Sequence, residues 1–322
     1  MLYIYVIFIY LFTSSDSLFV PVSKLLTKNK PHKLNIFNKD IVLWWNKKIW
    51  SATDDMCLHR QGSLSKGLIT KEGNIKCGYH GLEYNNCGKC TYLPSSEQKM
   101  DLQLESYDIV EKHNMLWLTN EQNITNNLIS NLLRNHFMLN WFLVDLDIKP
   151  EFIIENSLDS LHFSHVHHNI LPSVNRNNPL PIINKGDCQI VWFNETGFSY
   201  KMSAATFTFI APFTITFTIY DFFTVCGFVL PISAEKTRFI TNLFIPCKNP
   251  HIRKFFNGLV SIFNPILNKM SSYIFNQDVE QILSQQYYVK KYNKKYISNY
   301  AADKPIQLYN NWVSKYNSSI VL

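Results

Sequence analysis

Between Leu34 and Trp50 the run LNIFNKDIVLWWNKKIW gathers its apolar and β-branched residues into two short blocks around Asn46-Lys47-Lys48. That pattern predicts two strands joined by a turn. Short apolar blocks separated by Gly-containing turns continue to Met115-Leu116-Trp117-Leu118, the texture of a small all-β domain. The polar stretch Thr119 to Asn127 then reads as a linker. Beyond it the texture changes. Residues 151–165 are spaced for a helix carrying Asp159 and His162, and residues 188–246 read as successive antiparallel strands. Within them, Thr206-Phe207-Thr208-Phe209 and Thr214-Ile215-Thr216-Phe217-Thr218-Ile219 alternate with a period of two, with Pro212 between the runs. This places Phe and Ile on one face and Thr on the other, as a half-buried strand requires. Residues 251–293 read as helical, broken at Pro265. The expected class is α+β: an all-β domain over 19–125, then a domain over 126–322 with a helix, an antiparallel sheet and a long closing helix.

Composition adds little to this division. Of 322 residues 46% are apolar and 17% charged, so each domain can bury a core. The formal net charge is +7, but the basic residues are scattered, which fits a solvated surface and does not point to nucleic acid. An acidic electron-donor protein or an anionic membrane surface is the functional alternative. The chain opens with MLYIYVIFIYLF, then Ser14-Ser15-Asp16-Ser17. This run is short for a membrane span and resembles the apolar core of a signal segment, so residues 1–18 are expected to target the chain to a plastid or other membrane-bounded compartment. A buried N-terminal strand is the alternative.

The chemistry sits in two clusters of ligand-type residues. The first is Cys57-Leu58-His59 with Cys77-Gly78-Tyr79-His80. Each unit offers one thiolate and one imidazole. A Rieske [2Fe-2S] centre takes two Cys on one iron and two His on the other, and the neutral imidazoles raise its potential. A Cys2His2 zinc site orders its ligands as two Cys and then two His, with a helix between, which this spacer does not resemble. Cys87 and Cys90 form a CxxC with no second free pair to complete a zinc site. The second cluster is Glu155-Asn156-Ser157-Leu158-Asp159-Ser160-Leu161-His162, continuing to His165, His167 and His168. A non-haem Fe(II) oxygenase needs two His and one carboxylate on one face of the metal, leaving the other face open. Spacing alone does not choose the pair. His162 and His165 share a helical face, whereas His162 and His167 do so only if the helix ends or distorts between them.

The stretches DDMCLHRQGSLSKG, IKCGYHGLEYNNCGKCTYLP and ENSLDSLHFSHVHH resemble the Rieske non-haem iron oxygenases, and among them the pheophorbide a oxygenase group. Leu58 and Leu82 depart from that group, which usually has Pro and Trp there. The resemblance implies an N-terminal Rieske domain followed by a helix-grip (START-like) catalytic domain. It implies Cys57, His59, Cys77 and His80 as cluster ligands, and His162, His167 and Asp278 as ligands of a mononuclear Fe(II). It gives Asp159 the role of bridging the two metal centres across a trimer interface, by hydrogen-bonding a cluster His of a neighbouring subunit, and Asn156 a supporting one. It further implies a ferredoxin-like donor, a homotrimer and an apolar ring substrate, a chlorophyll-derived tetrapyrrole first and a sterol or other lipid second. Plastid members of the group commonly continue into C-terminal anchoring helices. This chain stops soon after AADKPIQLYNNWVSKY, which leaves membrane association possible without such an anchor. A Rieske electron carrier with a lipid-binding second domain is the reading from a different class.

Overall fold

The computed structural model describes residues 19–94, 101–119, 128–159, 161–167, 177, 188–202, 205–219, 223–293 and 301–316. The signal-like residues 1–18 and the linker from 120 to 127 lie outside these. The chain divides into two compact units, Met1–Thr125 and Asn126–Leu322.

The described part of the first unit is built from strands and a single turn of 3-10 helix. Six strands form an antiparallel sheet in the order Phe19–Lys24, Met115–Thr119, Ser106–Lys112, Trp50–Asp54, Lys39–Trp45, His32–Ile36. The segment expected as two strands takes part in three. Phe37 and Asn38 both adopt positive φ and make an additional tight turn, the geometry of a two-residue hairpin whose twist matches its strands. The expected turn at Asn46 follows, with the Asn46 side chain accepting from the backbone N–H groups of Lys48 and Ile49. A second, four-stranded sheet uses Leu68–Ile69, Ile75–Lys76, Glu83–Tyr84 and Cys90–Tyr92. Such two-residue strands are marginal alone. They are held by a core of Val42, Trp44, Leu64, Ile75, Leu82 and Tyr84, and by a bond from the Trp44 indole to the Gly73 carbonyl at 3.0 Å.

The second unit is an antiparallel sheet in which each strand from Cys188–Asn194 to Lys236–Pro246 pairs with the next. His136–Met138 and Phe142–Leu146 both pair with that last strand. The period-two reading holds: along Ala205–Ile210 buried and half-buried residues alternate, with Phe207 and Phe209 inward and Thr206 and Thr208 outward. Three helices supply the other layer. Pro150–Leu158, the distal half of Pro250–Tyr292, and Lys304–Tyr316 contribute Phe152, Phe275, Ile282 and Trp312 to a core with the inward Phe residues of the sheet.

Two helix expectations need correction. Pro250–Tyr292 runs unbroken through Pro265. Pro265 is exposed, so its ring and lost N–H fall on the water side, where neither obstructs packing. By contrast, residues 151–165 do not form one helix. The first helix ends at Leu158, Asp159 is extended (φ −78°, ψ 114°), and His162–His165 form a separate turn. Asp159 therefore does not lie one helical turn before His162. Its carboxylate instead accepts from the backbone N–H groups of Leu161 and His162 at 2.8 and 3.3 Å, so an Asx-type turn competes with helix propagation.

Candidate metal centres

In the first unit, Cys57 and Cys77 head two loops with the same backbone plan. The Cys57 N–H donates to the Gly62 carbonyl, and the Gln61 N–H returns to the Cys57 carbonyl. The Cys77 N–H donates to the Leu82 carbonyl, and the Gly81 N–H returns to Cys77. Both loops turn through a positive φ at the same place, Gln61 at 57° and Gly81 at 80°. Between them Gly67 passes so close to the neighbouring strand that a Cβ would lie 2.0 Å from the Lys76 carbonyl oxygen. The first loop is anchored by buried Asp55, which accepts from the Ser65 N–H at 2.6 Å and its hydroxyl at 2.8 Å.

This plan separates the donors by type. Cys57 and Cys77 are buried, whereas His59 and His80 are exposed with ring centroids 4.7 Å apart. Burial pushes the Cys57 thiol up, partly offset by a hydrogen bond with Tyr84. The Tyr84 hydroxyl lies 3.4 Å from Cys57 Sγ and accepts from the Leu58 N–H at 3.2 Å. A pair of thiolates in such a pocket requires positive charge beside them, which is what iron supplies. The donor set, with sulfur inside and imidazole at the surface, fits a [2Fe-2S] group of the Rieske kind. Cys87 and Cys90 are both free thiols.

In the second unit, His162, His167 and Asp278 converge, with one donor atom from each within 4.8 Å of the others. They are the only group of three or more such residues found among the described ones. Asp278 Oδ1 lies 3.7 Å from His162 Nε2 and 3.4 Å from His167 Nε2. The ending of the short helix at His165 brings His167 round to His162, while His165 is exposed; His168 lies outside the described residues. On the long helix Asp278 is buried and Glu280 turns to solvent, as two residues of helical spacing dictate.

The surroundings fix the two imidazoles. His162 Nδ1 lies 2.6 Å from the Asp159 carbonyl oxygen, and His167 Nδ1 lies 3.4 Å from Gln277 Oε1. Each contact suits an Nδ1–H donor and leaves the Nε2 lone pair facing the carboxylate. The Asn156 amide hydrogen-bonds Asp278, yet Asp278 Oδ1 is buried with no partner. Burial pulls His162 down to about 4, so it is neutral. Burial pushes Asp278 up to about 7, with the charge of Asp159 adding to the rise and the Asn156 bond opposing it. An unpaired buried carboxylate oxygen facing two imidazoles, one of them held neutral, is costly by itself. A divalent ion among the three removes that cost, and two His with one carboxylate suit non-haem Fe(II).

Gln277 and Tyr84 are the supporting residues that the sequence reading missed. Gln277 adjoins Asp278, and Tyr84 lies in the quoted GLEYNNC, but only the folded chain brings Gln277 to His167 and Tyr84 to Cys57.

The Rieske [2Fe-2S] domain family matches residues 17–110. Pheophorbide a oxygenase of Arabidopsis thaliana is 39% identical over 80 residues, covering 24% of this chain and 15% of that protein. Flavonoid 8-hydroxylase 2 of Ocimum basilicum is 23% identical over 332 aligned positions, covering 92% of this chain and 64% of its own length. The chain thus spans less than two thirds of either relative. Among solved structures, the oxygenase in the reduced oxygenase–ferredoxin complex of carbazole 1,9a-dioxygenase superposes with a TM-score of 0.69 at 17% identity, over 95% of this chain and 90% of that one. NdmA of Pseudomonas putida superposes with a TM-score of 0.64 at 19% identity, over 94% and 91%.

Residues 17–110 form a Rieske [2Fe-2S] domain, in a chain with the fold of the Rieske oxygenases. Its sequence resembles pheophorbide a oxygenase and other Rieske oxygenases of chloroplasts, and the cofactors this implies are a [2Fe-2S] cluster and a mononuclear iron.

Proposed function

We propose that this protein is a Rieske-type oxygenase that takes electrons from a ferredoxin-like donor and uses dioxygen to oxidise an apolar ring substrate. The observation that carries the reading is the partnerless Asp278 Oδ1 facing His162 and His167. In it, Cys57, Cys77, His59 and His80 hold the cluster, with the exposed imidazoles nearest an external donor. His162, His167 and Asp278 hold the iron, which supplies dioxygen activation when bound. The chain's own part is to position and to exclude water. The Asp159 carbonyl and Gln277 orient the imidazoles, and Asn156 orients the carboxylate. Phe163 packs edge-on against His167 and Phe217, at 4.9 and 5.5 Å between centroids. Phe217 is only half-buried, unlike its cross-strand partner Phe207. These rings give the site an apolar wall suited to a flat hydrophobic substrate.

A chlorophyll-derived tetrapyrrole in a plastid is the leading substrate, on the resemblance to pheophorbide a oxygenase. The flavonoid hydroxylase aligns over most of the chain and makes a plant phenolic ring the second candidate. The reading includes a homotrimer in which Asp159 links the iron of one subunit to a cluster histidine of the next. It also includes a domain boundary near residue 125.

Iron analysis and product analysis test it together. The purified protein should carry about three irons per chain, and His162→Ala about two with the cluster spectrum intact. With reductant and dioxygen, tetrapyrroles and flavonoids are supplied in turn, and an oxygenated product is expected from one class. Two irons in the unaltered chain would leave an electron carrier, and full oxidation by His162→Ala would refute the site.

A further inference from the structure

The distal half of the helix Pro250–Tyr292 is tied into the core through Phe275, Asp278 and Ile282. The proximal half leaves large apolar side chains in water. Ile252, Phe255, Ile262, Phe263, Ile266 and Met270 are all exposed, Phe255 to 63% and Ile262 to 70%. At 100° per residue these six fall on one stripe roughly a third of the way round the helix. The packed side begins at the edge of this stripe, where the partly exposed Phe256 stacks on Phe137 at 4.9 Å, and continues round the helix to Arg253, bonded to the Arg134 carbonyl, and Asn268, bonded to Asn140. Scattered exposed apolar residues are ordinary, but a contiguous row of this length marks a surface that meets something.

Charge indicates what it meets. From Lys236 to Gln277 the sequence contains no Asp or Glu. Exposed Lys248, Lys254 and Lys269 border the proximal half. A second copy of the chain seated on this stripe would set lysine against lysine with no acidic residue of the helix between them. An anionic lipid surface offers the opposite: acyl chains for the apolar row and negative headgroups for the lysines. No described helix is long and apolar enough to cross a membrane. The stripe, about 30 Å long at 1.5 Å per residue, suits a helix lying in the plane of the surface.

We infer that the proximal half of this helix is a docking surface for an anionic lipid bilayer. The chain sits on the membrane through Ile252–Met270, and the flanking lysines hold it to the headgroups. The surface shares no residue with either metal site and stands whether or not the proposed oxidation is correct.

The test is co-sedimentation of the full chain with vesicles of phosphatidylcholine, alone or with about one third phosphatidylglycerol. The unaltered protein should bind the anionic vesicles at least about tenfold better, and added salt should reduce that margin. Ile262→Glu with Ile266→Glu should remove about tenfold or more of the binding while circular dichroism stays unchanged. Lys254→Glu with Lys269→Glu should remove the preference for anionic lipid. The apolar N-terminal run carries no charged side chain before Asp16 and is the same in every variant, so any binding of its own would not separate the variants. Equal binding of the unaltered and Ile262/Ile266 proteins to anionic vesicles would overturn the inference, as would no binding at all. Lipid-independent self-association in sedimentation velocity, abolished by the same substitutions, would assign the stripe to a second copy instead.

Discussion

The two candidate metal pockets solve the same problem by opposite means. The candidate cluster pocket is local: two loops of matching backbone geometry, each stapled by its own hydrogen bonds, carry all four candidate ligands and keep both imidazoles at the surface. The iron pocket is assembled from distant pieces. Its histidines follow a helix that has just ended, its carboxylate comes from a long helix, and all three side chains are largely withdrawn from water. A loop that builds its own geometry tolerates changes elsewhere. A pocket made by packing separate elements depends on residues that touch no metal. The exposed imidazoles suit exchange with another protein, and the buried ones suit chemistry that must exclude water.

The sharpest break in this comparison is removal of a ligand from each pocket. Asp278→Ala should abolish mononuclear iron and oxidation while leaving the cluster absorbance unchanged. Cys77→Ser should remove the cluster and leave the iron. Paired metal analyses would show whether either loss spreads to the other pocket, and a spread in either direction would contradict their independence. Next in size is Gln277→Leu, which deprives His167 Nδ1 of its acceptor and should weaken iron affinity by roughly tenfold to a hundredfold. Titration with a ferrous salt measures this, and an unchanged affinity would mean that packing alone orients the ring.

The iron pocket should also show a proton dependence. Asp278 is held up to about 7, so below that pH iron must displace its proton, and affinity should fall by up to about tenfold per pH unit. His162, held down to about 4, competes only at still lower pH. The slope that Asp278 and His162 together predict between pH 7 and 5 is therefore that of one proton, and a slope of two would show that His167 is protonated as well. The smallest effect belongs to the cluster. Tyr84→Phe removes one hydroxyl beside Cys57 Sγ, worth about 1 kcal/mol, and should lower the one-electron potential by on the order of 40 mV in protein-film voltammetry.

The residues of the chain announced these pockets unequally. The paired Cys and His units and the Thr/Phe alternation of 206–219 were legible because ligand type and period-two patterning are local properties. The break after Leu158 was not, because Asp159 and Leu161 are compatible with a helix until the Asp159 side chain takes the next N–H groups for itself. The extra turn at Phe37-Asn38 was hidden because Phe is an unusual residue for positive φ. Resemblance singled out His167 and Asp278. Spacing by itself left His165 open, and nothing in the sequence pointed Gln277 at an imidazole across 110 residues.

That separation bears on how the molecule is loaded during synthesis. Cys57 through His80 occupy one short stretch of chain, so all four proposed cluster ligands can come together in a local fold. Both imidazoles of the other pocket emerge soon afterwards, but their carboxylate follows only after every hairpin from Cys188 to Pro246 has been made. Until those non-local pairings close, a ferrous ion finds two donors and no third. On the proposed ligand assignment, cofactor insertion would acquire an order, sulfur-bound iron first and the single ion last, from the sequence distance between residues 167 and 278.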